Sequence, residues 1–280
     1  MTGLVGRLLD GISKSRKRIV VIGDAMVDRW VHGHVAQCQD GCPKFVQESV
    51  VETSGGAANA EQCLSHWEVN TSLYAQSVRP TKCRYIDDGK MVFRSDDDAI
   101  LLVAGTCSAC KWAREIGLEM AERAGAVLLS DYDKGMLTSN YVASVAGLCR
   151  DRGIPCVADC KRAPRVYAGC ILKGNLEWAR KYMDGVFDRV ANIVITRGDG
   201  NPLVEGETVG NTLWVNCVNH VGAGDCFAAH LALALAYGFS LRDAAVVAHS
   251  AGRVYVQHPH NRAPYPSEVA ADMSGAFSAV

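Results

Sequence analysis

Short, almost wholly apolar runs alternate along the chain with longer stretches in which apolar residues recur every three or four positions. The runs "RIVVIGD" (18–24), "AVLLSD" (126–131), "IPCVAD" (154–159), "CILK" (170–173) and "NIVIT" (192–196) have the length and β-branched content of buried strands. Helical periodicity covers 56–67, 108–124, 138–151, 175–184, 223–237 and 240–256. This alternation is the signature of βαβ units, and predicts an α/β fold with a mostly parallel sheet flanked by helices. In open sheets of this kind ligands bind at the carboxyl ends of the strands. Several of these runs end in Asp, Lys or Thr, which makes those ends candidate site positions.

Two segments break the alternation. Between Arg29 and Glu52 polar and apolar residues recur with period two, and 81–96, "TKCRYIDDGKMVFRSD", reads as a hairpin turning at Asp88-Gly89. Both interrupt the α/β pattern early. The expectation is one domain spanning 1–280 with a small β-sheet, built from 29–52 and 81–96, appended as a lid. A two-faced sheet with little core of its own must cover a ligand, a partner subunit or both.

Composition narrows the partners. With 29 Lys+Arg against 30 Asp+Glu the formal net charge is -1, which gives no electrostatic case for nucleic acid or an anionic membrane. Apolar stretches such as "AAHLALALAYGF" fall short of the ~20 residues of a membrane span. The first residues lack the apolar core of a secretion signal, so a cytoplasmic location is expected. In that setting the scattered cysteines should be reduced and buried. The pairs Cys38/Cys42 and Cys107/Cys110 fit a zinc or redox motif only in part.

"HVGAGDCFAA" (220–229) carries the chemistry. It is neither a Rossmann fingerprint, since Phe227 stands at the third glycine position, nor a Walker loop, which needs Lys and Ser/Thr after its last glycine. It does offer a helix N-terminus with accessible N–H groups at Gly222, Ala223 and Gly224, a suitable anion hole. The alternative is a simple tight turn with Asp225 charging the first helical turn. A carboxylate inside an anion nest needs a task of its own, and accepting a proton from an attacking hydroxyl is one. "SGGAANAEQCL" (54–64) repeats the glycine-then-helix pattern. There Asn59 could hydrogen-bond a sugar hydroxyl, while close packing of helix against strand explains the glycines equally well.

"GGAAN", "SDYDKG" and "GAGD", in this order and at these distances, resemble the ribokinase (PfkB) family of sugar kinases. "VVIGDAMVDRW", "TKCRY", "SDYDKGML", "ADCKR" and "VITRGDG" are most similar to its heptose 7-phosphate kinase branch. The resemblance spans about 18–270. It implies a ribokinase-like fold, ATP and Mg²⁺ as cofactors, a sugar or sugar phosphate as substrate, and a homodimer formed through the β lid. Asp225 matches the catalytic base, and Gly222, Ala223 and Gly224 the anion hole. Asp28 matches the sugar-gripping aspartate, with Gly55, Gly56 and Asn59 completing that wall. Thr196, Arg197, Gly198, Gly200 and Asn219 fall at the nucleotide. Asn175 begins the family's Asn-x-x-Glu motif, which organises Mg²⁺ through water. Lys82, Arg94 and Lys134 are placed to meet a phosphate already on the sugar, or else are solvated surface charge.

The chain also departs from the family pattern. Trp178 stands where the glutamate of Asn-x-x-Glu belongs, and the nearby carboxylate, Glu177, comes one residue early. Asn219 and His220 replace the usual aspartate and threonine before the anion hole, a place many relatives use to hold a monovalent cation. The stretch between Tyr74 and Pro80 is shorter than the family pattern. Two alternatives follow: a kinase for an unphosphorylated sugar, or a ligand-binding relative with weak catalysis.

Overall fold

The computed structural model describes residues 3–38, 40–97, 108–184, 190–210 and 214–275. Its main sheet has eight strands in the order β12-β11-β10-β9-β8-β7-β1-β4. These are β1 (Arg18–Gly23), β4 (Asn70–Ala75), β7 (Ala126–Ser130), β8 (Cys156–Asp159), β9 (Ile171–Asn175), β10 (Ile193–Arg197), β11 (Gly200–Val204) and β12 (Glu207–Thr208). From β4 through β10 neighbouring strands are parallel, and β11 and β12 add an antiparallel edge. All five strands expected from the apolar runs are present. The sequence pattern does not mark β4, β11 and β12, whose residues alternate weakly and lie toward the sheet margins.

The helices are α1 (Leu4–Lys14), α2 (Ala57–Gln62), α3 (Ser108–Ala121), α4 (Ser139–Arg152), α5 (Leu176–Met183), α6 (Ala223–Ala236), α7 (Leu241–Val256) and α8 (Pro266–Met273). Successive strand residues face opposite layers, as the pleat requires. Val21, Leu128, Val157 and Val194 join a core with α6, α7 and Trp67, whereas Val20, Ile22, Val127, Leu129 and Ile195 join a second core with α4. α6 is buried from Asp225 to Ala236, which explains why its sequence is apolar all round rather than on one stripe. Thr138 caps α4 through its side chain, and Gly153 ends it with a left-handed φ of 65°. α2 is shorter than the 56–67 expected, because turns take over from Cys63.

A second sheet of four strands has the order β3-β2-β5-β6, from β2 (Ala25–Gln37), β3 (Pro43–Gly56), β5 (Thr81–Asp87) and β6 (Lys90–Asp96). The expected segments are there, but β2 and β3 reach four residues further at each end than 29–52, down to Ala25 and up to Gly56. That extension carries the sheet into the main body, so only Asp24 separates β1 from β2. The hairpin does turn at Asp88 and Gly89, both with positive φ (46° and 72°), as a two-residue primed turn needs. β6 is exposed throughout, with Met91, Val92 and Phe93 among the exposed apolar residues.

Among the described residues, no helix is long and apolar enough to cross a membrane. Most of the described cysteines are buried and none is in a disulfide. Cys38 and Cys42 face each other beside the β2–β3 turn with sulfurs 2.9 Å apart, and Cys107 lies outside the described residues.

Candidate active site

The carboxyl ends of the parallel strands and the N-terminus of α6 converge on Asp225. Gly222 caps α6 with φ 83°, a conformation that favours glycine. A Cβ there would lie 2.4 Å from both Asn59 Nδ2 and Tyr255 Oη, so no side chain fits without displacing them. The N–H of Ala223 donates to His220 O (3.2 Å) in the entry turn. Those of Gly224 and Asp225 lie in the first turn, where a helix supplies no intrahelical acceptor.

Asp225 is 2% exposed. Tyr132 donates its hydroxyl to Oδ1 (2.6 Å) and Asn59 its amide to Oδ2 (3.1 Å). Burial, reinforced by the neighbouring Asp159 carboxylate, pushes its pKa up to about 6, against the pull of these two hydrogen bonds and of Lys161. A carboxylate poised there is ionised at neutral pH yet basic enough to accept a proton.

The loop after β7 is held by two buried aspartates. Asp24 accepts backbone N–H groups from Tyr132 (2.8 Å), Lys134 (3.1 Å) and Met136 (3.0 Å), and burial still raises its pKa. Asp131 accepts from Arg162 Nε (2.8 Å) and the Tyr167 hydroxyl (2.7 Å). Held from both sides, the loop places Tyr132 against Asp225. Burial and the Asp225 charge drive the Tyr132 phenol well above its ordinary range, so it stays a hydrogen-bond donor. Lys82 and Lys161 lie over its ring at 4.9 and 4.8 Å. Asp159 first, and Asp225 after it, keep Lys161 protonated, whereas burial lowers the pKa of Lys82. In the middle of β9 the buried Lys173 pairs with Asp159 (3.0 Å).

Of the residues expected at the sugar, Asp28, Gly55, Gly56, Lys82 and Arg94 lie on the second sheet, whereas Asn59 is on α2 and Lys134 follows β7. Asp28 is buried, with Arg84 on Oδ1 (2.7 Å) and Asn261 on Oδ2 (3.3 Å). A Cβ on Gly55 would sit 2.8 Å from Asp28 Oδ2, and one on Gly56 2.3 Å from Asp24 O, so both glycines serve close packing. Asn59 was expected to face a sugar hydroxyl. Instead its amide is fully buried between Asp225 and Gly222 O, with Tyr255 on its oxygen, which makes it a support for the carboxylate. Arg94 is tied to Asp96, while Lys82 lies inward with Tyr132. The backbone of Lys134 is fixed by Asp24.

Among the residues expected at the nucleotide, Gly198 turns β10 into β11 with φ 65°. Thr196 Oγ1 donates to Gly174 O (3.3 Å), and Arg197 Nε to Asn201 O (2.6 Å) across that hairpin, where Gly200 opens β11. Asn219 uses both ends of its amide within the chain, accepting from Val221 N (3.0 Å) and donating to His260 O (3.2 Å). Asn175 accepts from Trp178 N (2.8 Å) as the N-cap of α5. The Trp178 indole is buried and donates to Arg162 O (2.8 Å), and Glu177 is exposed. Among the described residues no group of three or more His, Cys, Asp or Glu is placed to hold a metal ion. These donors do not fit a Mg²⁺ held by the Asn175 motif.

Sequence motifs singled out Asp225 and its glycines but not Asp24, Tyr132, Asp159, Lys161 or Lys173. The signal lay in the strand endings: Asp24, Asp131, Asp159 and Lys173 each close one of the apolar runs. Cavities of about 810 and 370 Å³ open at the opposite, amino-terminal edge of the sheet, beside Arg18, Gly125 and Pro155, away from this chemistry.

Residues 174–268, which carry the glycine nest and Asp225, match the family model described as pfkB family carbohydrate kinase. Curated proteins similar to this chain include the bifunctional protein HldE of Hyphomonas neptunium, 29% identical over 316 residues, covering 91% of this chain and 63% of the relative. HldE of Granulibacter bethesdensis is 28% identical, over 86% of this chain and 62% of the relative. The chain thus spans less than two thirds of the length of these curated relatives. Among solved structures, Arabidopsis thaliana ribokinase complexed with ribose and ATP superposes with a TM-score of 0.68 at 16% identity, covering 94% of this chain and 100% of that one. A carbohydrate kinase from Agrobacterium tumefaciens gives 0.66 at 20%, covering 92% and 97%. These likenesses establish the ribokinase-like fold.

Proposed function

We propose that this chain is an ATP-dependent kinase that transfers the γ-phosphoryl group to a hydroxyl of a sugar phosphate, heptose 7-phosphate being the first choice. The observation that carries the reading is Asp225: a buried carboxylate with its pKa raised to about 6, set in the amide nest that opens α6. In the reaction the sugar hydroxyl gives its proton to Asp225 as its oxygen attacks. The first-turn amides meet the charge that develops on the phosphoryl oxygens, and Lys161 adds a fixed positive charge beside them. Mg²⁺ bound to the nucleotide would neutralise the ATP phosphates, and no step here depends on a protein-held ion. Asp28, braced by Arg84 and Asn261, is placed to orient the sugar. The second sheet then acts as a lid that excludes water, protecting ATP from hydrolysis. The heptose phosphate choice is supported by the motif resemblance, by the HldE relatives and by Lys82 lying between lid and base.

A coupled assay for ADP across sugars and sugar phosphates, with Asp225→Asn as control, tests the reading. No turnover above the control with any acceptor sinks it. Loss of binding confined to phosphorylated sugars in Lys82→Met separates a sugar-phosphate kinase from one acting on an unphosphorylated sugar. The self-capped Asn175 and buried Trp178 favour a second reading, a ligand-binding relative with weak catalysis. It predicts sugar binding without ADP release in the same panel. The exposed Met91, Val92 and Phe93 on β6 support a homodimer through the lid sheet. Sedimentation of Phe93→Asp beside the parent chain checks it, and an unchanged dimer or a parent monomer rules it out.

A further inference from the structure

Lys173 is 2% exposed, and of its three ammonium donors one reaches Asp159 Oδ1 at 3.0 Å; no other acceptor for it is found among the described residues. An ammonium taken out of water with unmet donors is costly, so the free donors need an acceptor that arrives from outside. Their surroundings show what kind. A Cβ built on Gly224, the last glycine of the anion nest, would lie 3.0 Å from Lys173 Nζ. Glycine there keeps the ammonium open to the amides that begin α6. Asp159 Oδ2 is also buried and unpartnered, so the Asp159–Lys173 pair is held by one hydrogen bond and does not close on itself.

We propose that Lys173 is a phosphoryl-binding residue of this site, a protein-supplied cation that completes the Gly222–Gly224 nest from the middle of β9. The inference rests on the kinase reading. The two carboxylates beside the nest, Asp159 and Asp225, are balanced by Lys161 and Lys173. Without Lys173 the four-residue group carries a net negative charge toward an incoming anion. In the transfer, the bond from the γ-phosphorus to the β-bridging oxygen breaks as the bond to the sugar oxygen forms, and the sugar proton goes to Asp225. Lys173 makes no covalent bond and holds a phosphoryl oxygen throughout. The site thereby gains positive charge where Trp178 has displaced the carboxylate of the metal motif.

The test compares Lys173→Met, Lys173→Arg and the charge-neutral double Asp159→Asn/Lys173→Met, the last guarding against a single variant that fails to fold around an unpaired Asp159. Thermal melts identify the folded variants. With acceptor and ATP saturating, kcat falls about a hundredfold in the methionine variants. Lys173→Arg recovers about tenfold of that loss, and the KM for the sugar changes by less than about threefold. A folded methionine variant within threefold of the parent kcat overturns the proposal. A calorimetric titration with inorganic tripolyphosphate gives a reading that needs no turnover. Weakening by about tenfold in the methionine variants supports the role of Lys173, even if the parent phosphorylates no sugar tried and the kinase reading fails. Unchanged binding, or no binding by the parent, overturns it.

Discussion

Replacing Asp225 by asparagine should abolish turnover and yet make the protein more stable. Moving a carboxyl from its ordinary 3.8 up to about 6 means that ionising it in the folded state costs about 3 kcal/mol. The native state holds this proton more tightly than the unfolded chain does. The cost is therefore absent below about pH 4, grows as pH rises through 6, and is complete above. Asparagine removes the charge at nearly constant shape. Its oxygen still accepts from Tyr132, but its NH₂ then faces the Asn59 amide, and losing that hydrogen bond takes back about 1 kcal/mol. The net expectation is a gain of about 2 kcal/mol at pH 8, shrinking to about 0.5 kcal/mol at pH 5. Urea unfolding of both proteins at pH 8, 6.5 and 5 measures it, with ADP release as the parallel readout. Turnover should drop by about a hundredfold or more. A variant no more stable than the parent at pH 8, or a difference that stays the same at pH 5, would refute the account of why Asp225 is basic.

The same raised pKa predicts a pH–rate profile whose acid limb bends near pH 6, because the base must be deprotonated to act. Lys161→Met and Tyr132→Phe each remove an influence that lowers the Asp225 pKa, so the limb should move to higher pH in both; a limb that stays put contradicts the assignment. Gly222→Ala forces a side chain onto Asn59 and Tyr255 at φ 83°, and should cost several kcal/mol in urea unfolding, on the order of ~2–4. Gly198→Ala, with open space at its Cβ, bears only the conformational cost of its φ and should lose about 1 kcal/mol. Arg84→Met leaves Asp28 buried with Asn261 alone and should cost about 3–5 kcal/mol, much of it restored in Asp28→Leu/Arg84→Met. Equal stability of single and double variants would show that the unpaired charge is not the cause.

The parallel core was legible because its strands are buried on both faces. "RIVVIG" and "AVLLS" need apolar residues at every position, a pattern few other structures demand. β4, "NTSLYA", was not, because as an edge strand it stays half-buried and its polar residues resemble a loop. Asp225 stood out because it follows Gly-Ala-Gly at a helix start, a pattern that a simple tight turn also uses, and its burial beside Tyr132 and Asn59 is visible only in the fold. Asn59 was misjudged for a geometric reason. Its place on α2 was visible, but that the start of α6 packs against it and takes up its amide through Asp225 and Gly222 O is a tertiary fact. Lys173 and Asp159 showed themselves as the ends of apolar runs, and only the register of β8 with β9 makes them a pair.

The chain crosses between the two sheets four times, and three of these crossings are laced to the same spot. β1 becomes β2 through Asp24 alone, Ala57 following β3 donates its N–H to Asp24 O (3.0 Å), and the Gln76 side chain after β4 bonds Ala25 through both its amide ends (3.0 and 2.6 Å). At these crossings the second sheet is therefore fastened to the main body around one residue, with Asn261 on Asp28 and Ser54 O as a further tie. Asp24 is also the residue whose carboxylate gathers the loop bearing Tyr132. A shift of the sheet at this point would therefore be passed through Asp24 to the Tyr132 hydroxyl that holds the Asp225 carboxylate.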